Sequence, residues 1–288
     1  MKRFLTYILI LVGITIAALF MLDALYTYVY NNGGYRNKVM WVRDLEPNTK
    51  LDYIVLGSSR ANYHVNPKMI ARETGKQGLN LGYNGSNPFE VKLMLKEFLK
   101  VGTVAQLYVQ VDYTYIYDEP DLVGQLNFIP YLQESDIADE FKDLDDSYGY
   151  LEHLPFYRYQ KYESRLGYRN VIMSAISSKQ PKFLDSMGFT FVNKKLKNDL
   201  GHSKTILNHT NVHLEEIIEI AKEAGIELRF FTAPVYKPNY SLDNLETQLP
   251  NHLNFIDAIQ DRKFFNDPTH LNVAGSELFT KLFIETYF

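Results

Sequence analysis

Between Arg3 and Asp23 the chain carries no charge, and nearly every side chain from Phe4 to Leu22 is apolar. About nineteen residues of helix at ~1.5 Å each approach the ~30 Å hydrocarbon core of a bilayer. A helix on the surface of a soluble domain keeps a polar face, and this run has none. It is longer than the apolar part of a typical signal peptide, and no clear small-x-small cleavage site follows it. The run therefore reads as an uncleaved signal anchor over residues 1–25, with a cleaved signal peptide as the alternative. Lys2 and Arg3 in front of it place the N-terminus in the cytoplasm and the remainder of the chain outside, periplasmic or extracellular.

Residues 26–50 form a connector rich in Tyr and Asn (Tyr26, Tyr28, Tyr30, Asn31, Asn32), a composition suited to a membrane interface. From Leu51 the pattern becomes strand, turn and helix. Short apolar runs at Tyr53–Leu56, Gly78–Leu81, Gln106–Val111 and Glu227–Thr232 read as buried strands, and Asn254–Ile256 as a short fifth. Asn87-Pro88-Phe89-Glu90 is a helix start, with a cap, a proline at the first position and a Glu three residues after the cap. Further helices read from Pro67, from His209 to Ala224 and from about Val273. Alternation of this kind predicts an α/β fold whose mostly parallel sheet is covered on both faces. Residues 51–288 then form one domain, interrupted by a largely helical insert at about 113–203.

In open parallel sheets, sites form beyond the carboxyl ends of the strands. Gly57-Ser58-Ser59-Arg60 lies there after the first strand, and Asp267-Pro268-Thr269-His270 lies just beyond the last. A carboxylate three residues before a histidine can orient the imidazole, which can then act as general base for a serine. Either Ser58 or Ser59 fits by spacing. His64, five residues after Ser59, reads either as a pocket-lining residue or as a surface histidine on the approach to a helix. His209 and His213, four apart, lack the Glu of a zinc-protease motif, and no metal or other cofactor is expected. The absence of cysteine removes disulfides and thiol nucleophiles, and the net charge of −4 argues against a nucleic-acid partner.

These blocks resemble those of the SGNH (GDSL-type) hydrolase superfamily over about residues 51–112 and 205–288. Gly57-Ser58-Ser59 is similar to the first block, Asp267-x-x-His270 to the last, and Asn80-Leu81-Gly82-Tyr83-Asn84-Gly85 to the second. The resemblance implies a flavodoxin-like three-layer sandwich, with Ser59, His270 and Asp267 as the catalytic triad. It implies an oxyanion hole built from the Ser59 and Gly85 amides, with Gly82 as the alternative donor. The Gly-x-Asn of the third block is missing. Asp112 stands near its place, and an ionised carboxylate cannot donate to an oxyanion. Asn84, Asn87 or Arg60 is the expected substitute, and Arg60, Asn87, Asp112 and His64 are candidate substrate contacts.

The anchor, the Gly-Ser-Ser-Arg variant and the absent block are closest in style to exported members linked to cell-envelope polymers. The function this implies is a membrane-anchored serine O-acyltransferase or esterase. It would act on acyl esters, acetyl above all, of cell-surface polysaccharide or on a small acyl ester, with a membrane acyltransferase as a further partner. The alternative is a catalytically weak or inactive glycan-binding or scaffold protein of an envelope-assembly complex.

Overall fold

Tyr53, Ile54, Val55 and Leu56 are all fully buried in the first strand. Successive side chains point to opposite faces of a strand, so both faces of this sheet are covered. The structure, a computed structural model, describes residues 1–142, 144–176 and 181–288. In chain order the helices and strands are α1 (Lys2–Asn32), α2 (Lys38–Arg43), β1 (Thr49–Leu56), α3 (Ser59–His64), α4 (Pro67–Thr74), β2 (Gly78–Asn80), α5 (Pro88–Val101) and β3 (Gly102–Gln110). There follow α6 (Ser135–Lys142), α7 (Ser147–His153), α8 (Tyr157–Lys161), α9 (Glu163–Leu166), α10 (Tyr168–Ile176), α11 (Lys182–Asp185), α12 (Val212–Glu223) and β4 (Glu227–Thr232). The chain closes with α13 (Asn244–Gln248), β5 (Leu253–Asn254), β6 (Phe265–Asp267), β7 (His270–Leu271) and α14 (Val273–Tyr287). The chain divides into two units, one of Met1–Met40 with Gln125–Gln180 and one of Trp41–Gly124 with Pro181–Phe288.

The second unit is the α/β body. Its five strands are all parallel, in the order β2-β1-β3-β4-β5. This is the doubly wound order that places a crevice where the connections from the central strands diverge. Tyr53, Val55, Tyr108 and Phe231 face one side and pack with Phe279 and Phe283 of α14, which also lies against α3 and α4. On the other side α5 packs on β1 and β3, and α12 packs on both α5 and β4. Aromatic rings tie α14 to the sheet, with Phe283 5.1 Å from Tyr108 and 5.2 Å from Phe231. Local chemistry sets the helix ends. Asn66 caps α4 by accepting from the Lys68 and Met69 amides, and Asn211 caps α12 by accepting from His213 and Leu214. Beyond the five-stranded sheet, β6 and β7 pair antiparallel as a hairpin with a bulge between Phe265 and Asp267.

The first unit is built around the C-terminal end of α1. That helix is long and apolar enough to cross a membrane. Asp23, at the end of the apolar run, is buried and accepts from the Arg158 guanidinium at 2.7 Å and from the Phe156 amide at 2.7 Å. Thr27 accepts from Arg158 and shares a 2.7 Å hydrogen bond with the Tyr159 hydroxyl. The Gly34 amide donates to the Ser174 carbonyl of α10, and the Ser174 hydroxyl donates back to the Gly34 carbonyl. The segment 26–50, expected as a connector, thus holds the last turns of α1, the helix α2 and the start of β1. Of the expected insert at 113–203, residues 125–180 belong to the unit of α1 and residues 181–203 to the sheet unit.

Candidate active site

β1 runs into Gly57, whose φ of +139° is open only to glycine without strain. A Cβ there would lie 2.7 Å from that of Gln110 and 3.0 Å from that of Ala61. The chain therefore turns sharply from the end of β1 into α3, directly above the end of β3. The two serines that follow are used differently. The Ser58 hydroxyl donates toward Gln110 Oε1 at 2.8 Å and lies 3.0 Å from Asp112 Oδ2, and its amide also donates to Gln110. It further caps α3 by accepting from the Arg60 amide. The Ser59 hydroxyl instead lies 2.7 Å from His270 Nε2.

On the far side of that imidazole, Nδ1 is 2.9 Å from both oxygens of Asp267. A proton on Nδ1, held by the carboxylate, leaves Nε2 free to accept from Ser59. Asp267 is fixed in turn. Its Oδ1 accepts from the Thr269 amide and hydroxyl and from the His270 amide, and its Oδ2 accepts from the Asn266 side chain at 2.7 Å. Partial burial works against ionisation of Asp267. The hydrogen bond and charge of His270, with the Thr269 bonds, outweigh it and hold the carboxyl well below the usual range. The β6–β7 hairpin creates this geometry by turning at Pro268 and Thr269, so that Asp267 and His270 face each other as a register pair.

The other candidate residues fall in different places. Arg60 does not reach solvent. It is 2% exposed, its guanidinium hydrogen-bonds the Ala233 carbonyl, and it lies 3.6 Å from Asp112. Asp112 is buried as well. Desolvation opposes its charge, and the Arg60 cation with hydrogen bonds from Thr114 and Gln110 more than compensates, keeping its carboxyl below the ordinary value. His64 is fully buried, and its Nε2 accepts from the Leu271 amide at 3.0 Å. Burial first, then the positive charge of Arg60, pushes its pKa far down, so it is a neutral core imidazole. Asn87 is 9% exposed; its amide donates to Glu90 and its side chain to the Glu119 carbonyl. Expected as substrate contacts, these four all lie in the interior, with Arg60 Nε and Nη1 and His64 Nδ1 buried without a hydrogen-bond partner.

In the second block, the Gly82 amide donates to Asn80 Oδ1. Asn80 also donates to the Ala61 and Val65 carbonyls, clamping this loop to α3. The Gly82 N–H is thus already engaged. Gly85 has φ of +68°. Asn84 between them is exposed, accepts from Asn62 at 3.1 Å and donates to the Tyr63 hydroxyl. The Tyr63 ring stands 5.4 Å from that of His270 in an edge-on arrangement. Sequence reasoning passed over Tyr63, Gln110 and Thr269. Their signal lay in position alone: four residues after Ser59, two before Asp112 and inside the Asp-x-x-His turn.

No family model and no curated protein matches the chain. A solved structure from Streptococcus pneumonia, described as a candidate platelet activating factor, aligns over 98% of this chain and 99% of its own, with 12% identity and a TM-score of 0.40. A likeness at that level carries no argument about activity.

Proposed function

We propose that this chain is an exported, membrane-anchored serine O-acyltransferase or esterase of the SGNH type, acting on acyl esters, acetyl above all, of cell-surface polysaccharide. The observation that carries the reading is the continuous contact Ser59 Oγ to His270 Nε2 at 2.7 Å and His270 Nδ1 to Asp267 at 2.9 Å. A binding module has no need of this relay.

In the proposed reaction His270 Nε2 takes the Ser59 proton as Oγ attacks the ester carbonyl carbon. The tetrahedral oxyanion is met by the backbone N–H groups of Ser59 and Gly85. As the C–O bond to the leaving alcohol breaks, the imidazolium returns the proton to that oxygen. The serine ester left behind is then attacked by a sugar hydroxyl or by water, which gives its proton to His270. Asp267 stays ionised throughout and stabilises the imidazolium. The third-block position is taken by Gln110 and Asp112, both turned to Ser58, so no side-chain amide from β3 joins the hole. Loss of one such donor costs on the order of 10²–10³ in rate, and a slow enzyme is the expected outcome. Lys2 and Arg3, in the first turn of α1 ahead of its apolar stretch, favour a cytoplasmic N-terminus and so an outer location for this domain. A membrane acyltransferase is the proposed source of the acyl group.

The test is intact mass of the full chain in detergent after brief exposure to p-nitrophenyl acetate. Wild type should gain one acetyl group on Ser59, and Ser59→Ala should gain none. Equal labelling of both, or of neither, sinks the reading. Persistence of the adduct in water with loss on adding polysaccharide would assign a transferase.

A further inference from the structure

The sheet unit holds an open cleft of about 630 Å³ between the segment after residue 203 and the α13 region. Its walls carry the side-chain amides of Asn208, Asn239, Asn244 and Gln248, the ring of Tyr240 and the ammonium-bearing Lys204. No carboxylate lines it, and Ile206 is its one aliphatic side chain. Sites for small drug-like molecules are mostly apolar and enclosed, which this cleft is not. Paired amide donors and acceptors on a shallow surface match vicinal hydroxyl and acetamido groups. A tyrosine ring offers a flat face for the C–H side of a pyranose. A single cation is too little for a polyanion such as a nucleic acid.

The amide walls are built before any ligand arrives. Gln248 Nε2 donates to Asn208 Oδ1 at 2.8 Å, and Asn244 Nδ2 donates to the Tyr115 hydroxyl at 2.8 Å. Among the described residues, Gln248 Oε1, Asn208 Nδ2 and Asn244 Oδ1 have no hydrogen bond of their own. The cleft is also tied to the triad. The Tyr240 hydroxyl is 3.0 Å from His202 Nδ1, and the His202 ring is 5.0 Å from that of Tyr113, the residue after Asp112. The Asn239 amide donates to the His202 carbonyl, and the Tyr236 amide donates to the carbonyl of Pro268, inside the Asp267–His270 turn. The negative charge of Asp267 acts on both Tyr113 and His202. The rings of Tyr240, His202 and Tyr113 thus form a contact path from the cleft to the residue after Asp112.

We propose that this cleft is the subsite for a hydroxyl-rich oligosaccharide, with Tyr240 as the stacking ledge and the Asn208–Gln248 and Asn244 amides as its hydrogen-bonding walls. Its role as the acceptor or donor sugar site rests on the reading of Ser59 as nucleophile, whereas binding itself does not.

The test uses the full chain in detergent carrying Ser59→Ala, so that nothing turns over, with cellotetraose and chitotetraose as probes. Saturation-transfer NMR and calorimetry should show binding of at least one tetrasaccharide. Tyr240→Ala on that background should weaken it about three- to tenfold, the worth of an aromatic contact. Tyr240→Phe keeps the ring and should bind within about twofold of the parent, which separates loss of stacking from loss of fold. Gln248→Ala should weaken binding severalfold. Binding of neither probe, or binding indifferent to Tyr240→Ala, overturns the proposal. Tetrasaccharide binding that depends on Tyr240, in a protein whose wild-type Ser59 takes no acetyl group, keeps the subsite and removes the acyl-transfer reading.

Discussion

Asp267→Asn isolates the part of the proposed triad whose contacts are most numerous. Of the two Asp267 oxygens, Oδ1 accepts from two backbone N–H groups and the Thr269 hydroxyl and Oδ2 from the Asn266 amide, while His270 Nδ1 lies 2.9 Å from each, so that Oδ1 already carries three donors besides the imidazole. An asparagine amide keeps its oxygen toward the backbone donors, where an NH2 would clash with two N–H groups. Its NH2 then occupies the Oδ2 place. Asn266 can accommodate this, because its own Oδ1 is buried without a partner and a rotation of its amide turns that acceptor inward. His270 cannot do so cheaply. Facing a donor, Nδ1 must become the acceptor, which moves the ring proton to Nε2. That nitrogen then cannot take the Ser59 proton. The fold survives and the tautomer is wrong, an arrangement that costs about 10⁴ in kcat elsewhere. At about 1.4 kcal/mol per decade this is ~5 kcal/mol of lost transition-state stabilisation. Burst kinetics with p-nitrophenyl acetate measure the rate, and ¹⁵N chemical shifts of the His270 ring report the tautomer. A variant within tenfold of wild type, or one that loses 10⁴ while Nδ1 remains protonated, would refute the reasoning.

Three further outcomes follow from the same contacts. Ser58→Ala removes the cap of α3 and one of the two donors to the Gln110 oxygen, so thermal unfolding should show a loss of about 1–2 kcal/mol while Ser59 is still acetylated; abolished acetylation in a folded variant would contradict the division between the serines. Asp112→Asn leaves the buried Arg60 without its counter-charge, a loss of roughly 3–5 kcal/mol near neutral pH. Because the folded pKa of Asp112 is depressed, its contribution is present above the ordinary carboxylate pKa of 3.8 and lost as pH falls through the lower folded value, so wild-type and variant melting temperatures should converge in that acid range; a constant difference would exclude the linkage. Asp23→Ala should open the unit of residues 125–180 to limited proteolysis in detergent, since Arg158 is then left buried and unpaired at a comparable cost; unchanged digestion would show that the ion pair holds nothing.

How far the sequence was readable follows from the range of each signal. Strands β1 to β4 announce themselves as short apolar runs because a parallel strand is buried on both faces. The start of α5 was legible in four residues, since caps are local. His209 was read as the start of α12, whereas the helix begins after Asn211, whose side chain takes the His213 and Leu214 amides. Gly102 caps the end of α5 and is also the first residue of β3, because helix and strand join there with no loop. The β6–β7 hairpin gave no pattern, its strands being only two and three residues long. Least legible was the association of 125–180 with α1. It rests on Asp23 meeting Arg158 and on Gly34 meeting Ser174, pairs separated by well over a hundred residues and invisible to any local window.

The polar residues at the end of β3 acquire a physical meaning from the layer beneath Ser59. Gln110 at the end of β3 accepts from the Ser58 amide and hydroxyl, its own amide donates to Asp112, and Asp112 pairs with Arg60, whose guanidinium reaches the Ala233 carbonyl at the end of β4. The ends of β1, β3 and β4 are thereby cross-linked by one buried polar chain, within which Arg60 Nε and Nη1 have no hydrogen-bond partner. The same β3 position cannot both hold Ser58 and aim an amide at a developing oxyanion. In this chain it holds Ser58. What that arrangement gives up in direct charge stabilisation it returns as a fixed nucleophile turn, with Ser59 set against His270 before any substrate binds. Gln110→Ala separates the two contributions: it should lower the acylation rate and the melting temperature together, whereas a residue that served the oxyanion directly would lower the rate alone.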